Sequence, residues 1–140
     1  MTHRTQYVIL LPGNEAAWLE ATEDQRAAMY DKHRQFAELL VRRGHTLVGG
    51  AELTHSRTAR VVRGDLDAVT VSEGPYAETV EQLTGFYEVG TDDLEDLLNL
   101  CGLLAGGGGA VEVRAAVDQP DRPASEEPVA AEAAGAGVSA

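Results

Sequence analysis

The chain has 140 residues, of which 44% are hydrophobic and one is a cysteine, and its formal net charge at pH 7 is −12. This length favours a single domain that can bury its own core, while the acidic balance disfavours nucleic acid and anionic membranes as partners. One cysteine excludes an internal disulfide framework and no apolar run reaches the roughly 18 residues of a membrane span, so the sequence predicts a cytoplasmic protein.

The first part of the chain predicts a strand followed by a long helix. Residues 6–11 form a short apolar run rich in strand-forming residues, and the Pro-Gly-Asn that follows is typical of a strand end. Residues 15–43 have a helical pattern with a break near Thr22, where Thr22 and Gln25 have the spacing of a capping box. Gly44 is placed to end this helix.

The second part of the chain predicts mainly strands. A strand with a Gly-Gly interruption is predicted over residues 45–53, a hairpin over residues 58–74, and an alternating strand over residues 82–90. A second helix over residues 91–104 then precedes a final strand over residues 110–117.

This order of elements predicts an α+β fold, in which a ferredoxin-like antiparallel sheet carries two helices on one face. Residues 1–117 would form this domain. Residues 118–140 contain three prolines, five acidic residues and no aromatic residue, which predicts a disordered acidic Pro/Ala-rich tail. Because helices on one face leave the other face of the sheet open, we expect a homodimer.

His33 is the first candidate for chemistry. Met29, His33, Phe36 and Leu40 are spaced four, three and four residues apart, which places the imidazole in the apolar stripe of the first long helix. Histidine is the usual general acid or base near neutral pH. The alternative is a boundary histidine whose ring packs and whose nitrogen meets a backbone carbonyl or water.

The segment between the predicted hairpin and the strand over residues 82–90 is the second candidate. Gly74 permits unusual backbone angles and Pro75 fixes one dihedral, so the two together stiffen a loop. Such a loop can hold Glu73, Tyr76 and Glu78 in fixed directions, and carboxylates in a partly buried loop can act as acids or bases. The alternative is a shaped connection whose acidic side chains are simply solvated.

Other features of the sequence indicate no metal and no cofactor. The histidines at His3, His45 and His55 lack the spacing of zinc ligands. The four glycines at 106–109 precede a strand, whereas a phosphate cradle needs glycines that open a helix. Cys101 lies on the apolar stripe of the second helix, which indicates a core residue rather than a nucleophile.

Two further predictions concern capping and ligand charge. Thr91 is placed to cap the second helix at its N-terminus. Arg57, Arg60 and Arg63 follow one another at a spacing of three, which alternates faces in a strand, so they do not form one patch. One of these arginines could still reach an anionic ligand.

Residues 73–86 resemble the signature of the YCII-related, or DGPF-domain, family, whose pattern is D-G-P-F-A-E-T-K-E-Q-L-G-G-F. The chain keeps ten of these fourteen positions, namely Gly74, Pro75, Ala77, Glu78, Thr79, Glu81, Gln82, Leu83, Gly85 and Phe86. Further resemblance in LVGGAEL, TDDLEDLL and GGAVEVR extends it over residues 6–115.

The resemblance implies a ferredoxin-like fold of the dimeric α+β barrel type, which dimerises through its sheets. It also implies a site, because a first-helix histidine and an aspartate are the reason to suspect catalysis in the wider family. His33 matches that histidine, whereas Glu73, one methylene longer, stands at the first signature position, and Val80 replaces the usual lysine. The catalytic candidates are therefore His33 and Glu73. The candidates for substrate binding are Pro75, Tyr76, Glu78 and Phe86.

Two functions remain open on the sequence. In the first, the protein binds a small molecule and His33 transfers a proton with help from Glu73 or Glu78. Related folds include lactone isomerases and dehalogenases, which favours a small cyclic or unsaturated acid as the substrate. In the second, the protein is a non-catalytic binding or regulatory module associated with an extracytoplasmic-function sigma factor, beside which family members are often encoded. An enzyme should have a pocket with His33 and a carboxylate, whereas a partner module should expose an apolar patch.

Overall fold

The computed structural model describes residues 4–106 and 109–118. Its strands are β1 (Thr5–Asn14), β2 (Thr46–Glu52), β3 (Arg60–Asp65), β4 (Ala68–Glu73), β5 (Glu81–Thr91) and β6 (Glu112–Ala115). Its helices are α1 (Glu15–Glu20), α2 (Glu23–Arg42), α3 (Leu94–Leu100) and α4 (Gly102–Ala105), with a 3-10 turn at Ser56–Thr58. Apart from Asp118, the predicted tail of residues 118–140 lies outside the described residues.

Four strands form one antiparallel sheet in the order β2–β5–β1–β6, and β3 pairs with β4 as a separate hairpin. The sheet and its helices make two interleaved β-α-β units, with the hairpin inserted before β5. This arrangement confirms the predicted α+β, ferredoxin-like fold. Within the described residues, no helix combines the length and the apolar character that crossing a membrane requires.

Side-chain caps divide the first helical region into α1 and α2. The Asn14 side chain accepts a hydrogen bond from the backbone N–H of Ala17 at 3.0 Å and begins α1. The Thr22 hydroxyl accepts the N–H of Gln25 at 3.1 Å, and the Gln25 side chain accepts the N–H of Thr22 at 2.9 Å. This reciprocal pair is the predicted capping box, and it begins the 20-residue helix α2.

The first strand continues beyond the Pro-Gly-Asn sequence that was predicted to end it. A register shift between Leu11 and Pro12 lets Pro12 pair with Leu83 and Gly13 pair with Gln82. Proline lacks a backbone N–H and is therefore tolerated in sheets mainly at edges and bulges. Pro12 meets this condition because β6 pairs only with residues 7–10 of β1.

The second helical region differs from its prediction in two respects. Thr91 is the last residue of β5, and Asp93 caps α3 instead by accepting the N–H of Asp96 at 3.1 Å. The helix is also interrupted at Cys101, which separates α3 from α4. Cys101 is buried, and burial raises the pKa of its thiol to about 11. A thiol in this state is a poor nucleophile, as expected for a core cysteine.

The core lies between one face of the sheet and α2, α3 and α4. The side chains with no exposed surface include Ile9, Phe36, Leu40, Tyr87, Val89 and Leu97. The rings of Phe36 and Tyr87 are in contact, with their centroids 5.2 Å apart. Tyr87, the largest of these side chains, therefore joins the middle of β5 to α2.

A second buried histidine, His45, links three elements at one end of the core. Its Nδ1 lies 2.7 Å from the Thr91 hydroxyl and its Nε2 lies 2.7 Å from the Asp96 carboxylate. Arg43 also donates to Asp96, at 2.8 Å. The hydrogen bond from His45, followed by that from Arg43, lowers the pKa of Asp96. His45 is thus fully engaged in holding α3 against the strands.

Candidate functional site

A cavity of about 500 Å³ lies between α1, α2 and one end of the sheet. This volume is within the usual range for small-molecule sites. Its apolar wall is formed by Leu11, Pro12, Trp18, Leu19, Met29, Leu53, Leu104 and Val111. Its polar side chains are Glu15, Tyr30, His33, Glu52, Thr54, His55, Arg57 and Thr84. A cavity that combines apolar side chains with polar groups able to orient a ligand is typical of a ligand pocket.

The irregular pairing of β1 with β5 shapes one wall of the cavity. Thr84 is the extra residue of β5 at the register shift, between Gly85, which pairs with Leu11, and Leu83, which pairs with Pro12. The Thr84 hydroxyl donates to the carbonyl of Leu11 at 2.8 Å, and the Thr84 carbonyl accepts the N–H of Leu53 at 2.9 Å. Such bulges redirect side chains and are common next to sites.

Helix α1 is fixed against α2 at another wall. The rings of Trp18 and Tyr30 meet edge to face, with centroids 5.7 Å apart. Arg26 lies over the Trp18 ring, 5.5 Å from its centroid, and donates to the carbonyls of Trp18 at 2.9 Å and Leu19 at 3.0 Å. The guanidinium therefore satisfies backbone acceptors at the end of α1 and orders this wall.

His33 belongs to the polar lining and is 8% exposed. Its Nδ1 is 2.7 Å from the Tyr87 hydroxyl. Nε2 has no hydrogen-bond partner among the described residues. Every side-chain nitrogen or oxygen that is fully buried within the described residues does have a partner, so Nε2 is not one of the fully buried atoms. Nε2 is therefore accessible, and the cavity is the space that the ring lines.

Burial lowers the pKa of His33, because removing the ring from water disfavours its charged form. The imidazole is therefore neutral at pH 7. The contact with Tyr87 permits either tautomer, since a hydroxyl can donate to Nδ1 or accept from it. In one tautomer Nε2 offers a lone pair to the cavity, and in the other it offers a proton.

Among the described residues, two carboxylates line the cavity, and both accept hydrogen bonds from the protein. Glu52 accepts from the Tyr30 hydroxyl at 3.1 Å. Desolvation, and then the charge and hydrogen bond of Glu52, raise the pKa of Tyr30. Glu15 accepts from the N–H of Ser56 at 2.7 Å and from the Ser56 hydroxyl at 2.5 Å. The cavity thus combines a neutral imidazole with two carboxylates whose orientations are fixed.

A model of the YCII-related domain family matches residues 5–102. The chain belongs to this family. The matched residues include most of the lining of the cavity, from Leu11 to Gly85. No curated protein matches the chain.

Within this YCII-related domain, the Gly-Pro segment contributes no residue to the lining of the cavity that contains His33. Glu73 ends β4, and Gly74 has the positive φ of +96° that the sequence suggested. The N–H of Gly74 donates to the carbonyl of Ala59 at 2.8 Å, which fixes the segment to the start of the hairpin. Tyr76 is 85% exposed and Glu78 is exposed. In the part of the chain that the structure describes, the cavity lining contains nothing between Arg57 and Thr84.

The structure therefore brings only His33, of the six predicted site residues, to the cavity. Pro75 belongs to the same segment as Glu73 and does not line the cavity either. Phe86 is half-buried and, as the neighbour of Tyr87 in a strand, points to the opposite face of the sheet. The roles assigned to Glu73, Pro75, Tyr76, Glu78 and Phe86 stay predictions, and the described geometry gives them no contact with His33.

The YCII-related domain supplies partners for His33 that the sequence did not single out. Tyr30 precedes His33 by three residues in α2, so helical spacing alone places the two on one side. Tyr87 lies in the predicted alternating strand over residues 82–90, but its contact with His33 depends on how α2 crosses β5. Glu52 ends a strand whose glycine pair was noted, but no local signal marks its carboxylate as part of a site.

Proposed function

We propose that the cavity binds a small organic molecule and that His33 transfers a proton to or from it at Nε2. The observation that supports this proposal is a buried, neutral imidazole that lines the cavity, with Nδ1 at the Tyr87 hydroxyl and Nε2 accessible. An isomerisation of the kind that lactone isomerases catalyse uses a group that accepts a proton and then returns it. The proton leaves one carbon, is held on Nε2 and is returned to another carbon.

The other polar residues of the cavity take positioning roles in this proposal. Tyr87 fixes the plane of the imidazole ring. Glu52 and Tyr30 hold each other at the wall, where they can orient a polar group of the ligand. This assignment replaces Glu73 with Glu52 as the acidic partner of His33, because Glu52 lines the same cavity.

A ligand screen that reads the melting temperature tests the binding part. Leu53 lines the cavity and is 40% exposed, so Leu53→Trp places a larger side chain at the cavity without overpacking the core. Compounds that raise the melting temperature of the wild type are expected to lose this effect in Leu53→Trp. The matched control is Val41→Trp, at a residue of α2 that is 66% exposed and does not line the cavity. Equal stabilisation of both variants would contradict binding in the cavity.

His33→Asn tests the proton transfer with ligands from that screen. Turnover is expected to fall by about 10²- to 10⁴-fold, and wild-type turnover should decline as the pH falls through the lowered pKa of His33. The free energy of unfolding should also decline as the pH falls, because His33 binds a proton less readily in the folded state than in the unfolded state, where histidine titrates near pH 6.5. The decline in the free energy of unfolding should be smaller in His33→Asn. Unchanged turnover in that variant would rule out His33 as the acid or base.

We also propose that the protein is a cytoplasmic homodimer that pairs through the outer face of its sheet. Ile9, Leu11 and Tyr87 are buried under the helices, whereas their strand neighbours Val8, Leu10 and Phe86 point outwards and are half-buried. A second copy would cover this apolar face. Light scattering should give a molar mass of about twice the 14.9 kDa of one chain. The mass of Leu10→Arg should be that of one chain. A monomeric wild type would contradict this proposal.

The alternative function, a module associated with a sigma factor, stays a prediction of the family resemblance. The hairpin of β3 and β4 does expose Val62, Val69 and Val71, each by more than half. In the pairing of the two strands these valines share one face, because Val62 pairs with Val71 and Gly64 with Val69. This face is apolar, but a second copy of the chain could cover it equally well.

A further inference from the structure

The turn after β2 places a cation at the edge of the cavity. Arg57 lies in the 3-10 turn Ser56–Thr58, lines the cavity and is exposed. Its guanidinium makes no hydrogen bond or ion pair within the described residues. Among the described residues that line the cavity, Arg57 is also the only arginine or lysine. The five N–H donors of this side chain are therefore free to bind a ligand.

Internal hydrogen bonds hold the turn that carries Arg57 in place. Ser56 is bonded to Glu15 through both its N–H and its hydroxyl. Thr58 donates to the carbonyl of His55 through its N–H at 2.9 Å and its hydroxyl at 2.7 Å. The backbone of Arg57 is thus fixed relative to α1, and an arginine on an ordered turn loses less freedom when it binds a ligand.

His55 adds a second donor beside Arg57. The Nδ1 of His55 accepts the N–H of Arg57 at 3.1 Å, so the neutral imidazole carries its proton on Nε2. Glu15 lies 3.7 Å from the same Nδ1, which is too far for a hydrogen bond, and its oxygens already accept from Ser56. Both acids of the lining are therefore occupied, whereas the guanidinium of Arg57 is unpaired among the described residues.

We infer that the ligands of this cavity are small, largely apolar monocarboxylic acids, with the carboxylate on Arg57 and the apolar body extending towards His33. This inference rests on the proposed function of the cavity. Arginine binds a planar carboxylate through two parallel N–H donors. A phosphate dianion is disfavoured, because it would meet the charges of Glu15 and Glu52 and an overall charge of −12 with one arginine to balance them.

Paired probes of nearly the same shape, one with a charged carboxylate and one with a neutral amide, test this assignment. Benzoate, phenylacetate and 3-phenylpropanoate are titrated by calorimetry, each beside its primary amide, into the full chain and into Arg57→Gln. In the wild type, at least one acid is expected to bind about tenfold more tightly than its amide. Arg57→Gln should remove this preference while amide binding stays unchanged. Arg60→Gln is the matched control, because Arg60 is exposed and does not line the cavity.

The outcomes separate Arg57 from the cavity itself. If the preference for the acids survives in Arg57→Gln, if amides bind as tightly as acids, or if none of the acids binds the wild type, the assignment of monocarboxylates is overturned. If Leu53→Trp then abolishes binding of the amides, the cavity remains the binding site, and Arg57 does not hold the ligand. If acids bind Leu53→Trp as they bind the wild type, both the anchor and the proposed function are overturned. Tighter binding of phenyl phosphate than of any carboxylate would also overturn the assignment.

Discussion

Gly50→Ala is expected to lower the free energy of unfolding by about 2–3 kcal/mol, whereas Gly49→Ala should change it by less than about 0.5 kcal/mol. The two glycines are adjacent in β2, but their surroundings differ. A Cβ on Gly50 would lie 2.6 Å from the carbonyl oxygen of Phe86 and 2.9 Å from Cδ1 of Tyr87. A Cβ on Gly49 would have no atom within 4 Å.

The cost at Gly50 cannot be avoided by moving a flexible side chain. The nearest atom belongs to the backbone of β5, with which β2 is paired, so the strands themselves must separate. The second contact is with Tyr87, which has no exposed surface and holds Nδ1 of His33. Gly50→Ala is therefore also expected to disturb His33, although Gly50 does not line the cavity.

Urea unfolding of the two variants and the wild type, at one protein concentration, measures this difference. A fixed concentration matters because pairing of chains would make the apparent stability depend on it. If the two alanine variants were equally stable, close packing of Tyr87 against Gly50 would be contradicted. If Gly50→Ala were destabilised but the NMR signals of the His33 ring were unchanged, only the predicted effect of β2 on His33 would be contradicted.

Local chemistry explains why most of the fold could be predicted from the sequence. The capping box at Thr22, the strand alternation around Tyr87 and the turn of the hairpin each depend on residues within a few positions of one another. The errors arose where a tertiary contact outweighed a local preference. Pro12 continues β1 because its neighbouring strand has already ended, and Thr91 bonds His45 instead of capping α3.

The candidate site was predictable only in part, for a related reason. His33 could be found because its helical spacing and the family resemblance agree. The Gly-Pro segment attracted attention through its composition, and Gly74 does adopt an unusual φ. Glu73 nevertheless ends a hairpin that is not part of the main sheet and Glu78 follows it, and neither residue lines the cavity. Glu15 and Glu52 reach the cavity through pairing that links β1, β2 and β5, which no local pattern encodes.

Tyr87 is the residue at which the core and the candidate site meet. Its ring packs on Phe36 and lies 5.8 Å from the His33 ring between centroids, while its hydroxyl holds Nδ1. The same side chain therefore provides buried apolar area and the orientation of the imidazole. Two substitutions at this position separate these contributions, because one removes the ring and the other removes only the oxygen.

Tyr87→Ala is expected to lower the free energy of unfolding by about 3–5 kcal/mol, since it leaves a cavity where the largest fully buried side chain was. Tyr87→Phe should cost only about 1–2 kcal/mol, but it should change the ring-nitrogen chemical shifts of His33, which report the tautomer, and weaken any His33-dependent turnover. Tyr7→Phe is the matched control, because Tyr7 is in the same sheet and its hydroxyl has no partner among the described residues. If Tyr87→Phe left both the nitrogen shifts and the turnover at wild-type values, the hydroxyl would have no part in orienting His33. The contribution of Tyr87 would then be packing alone.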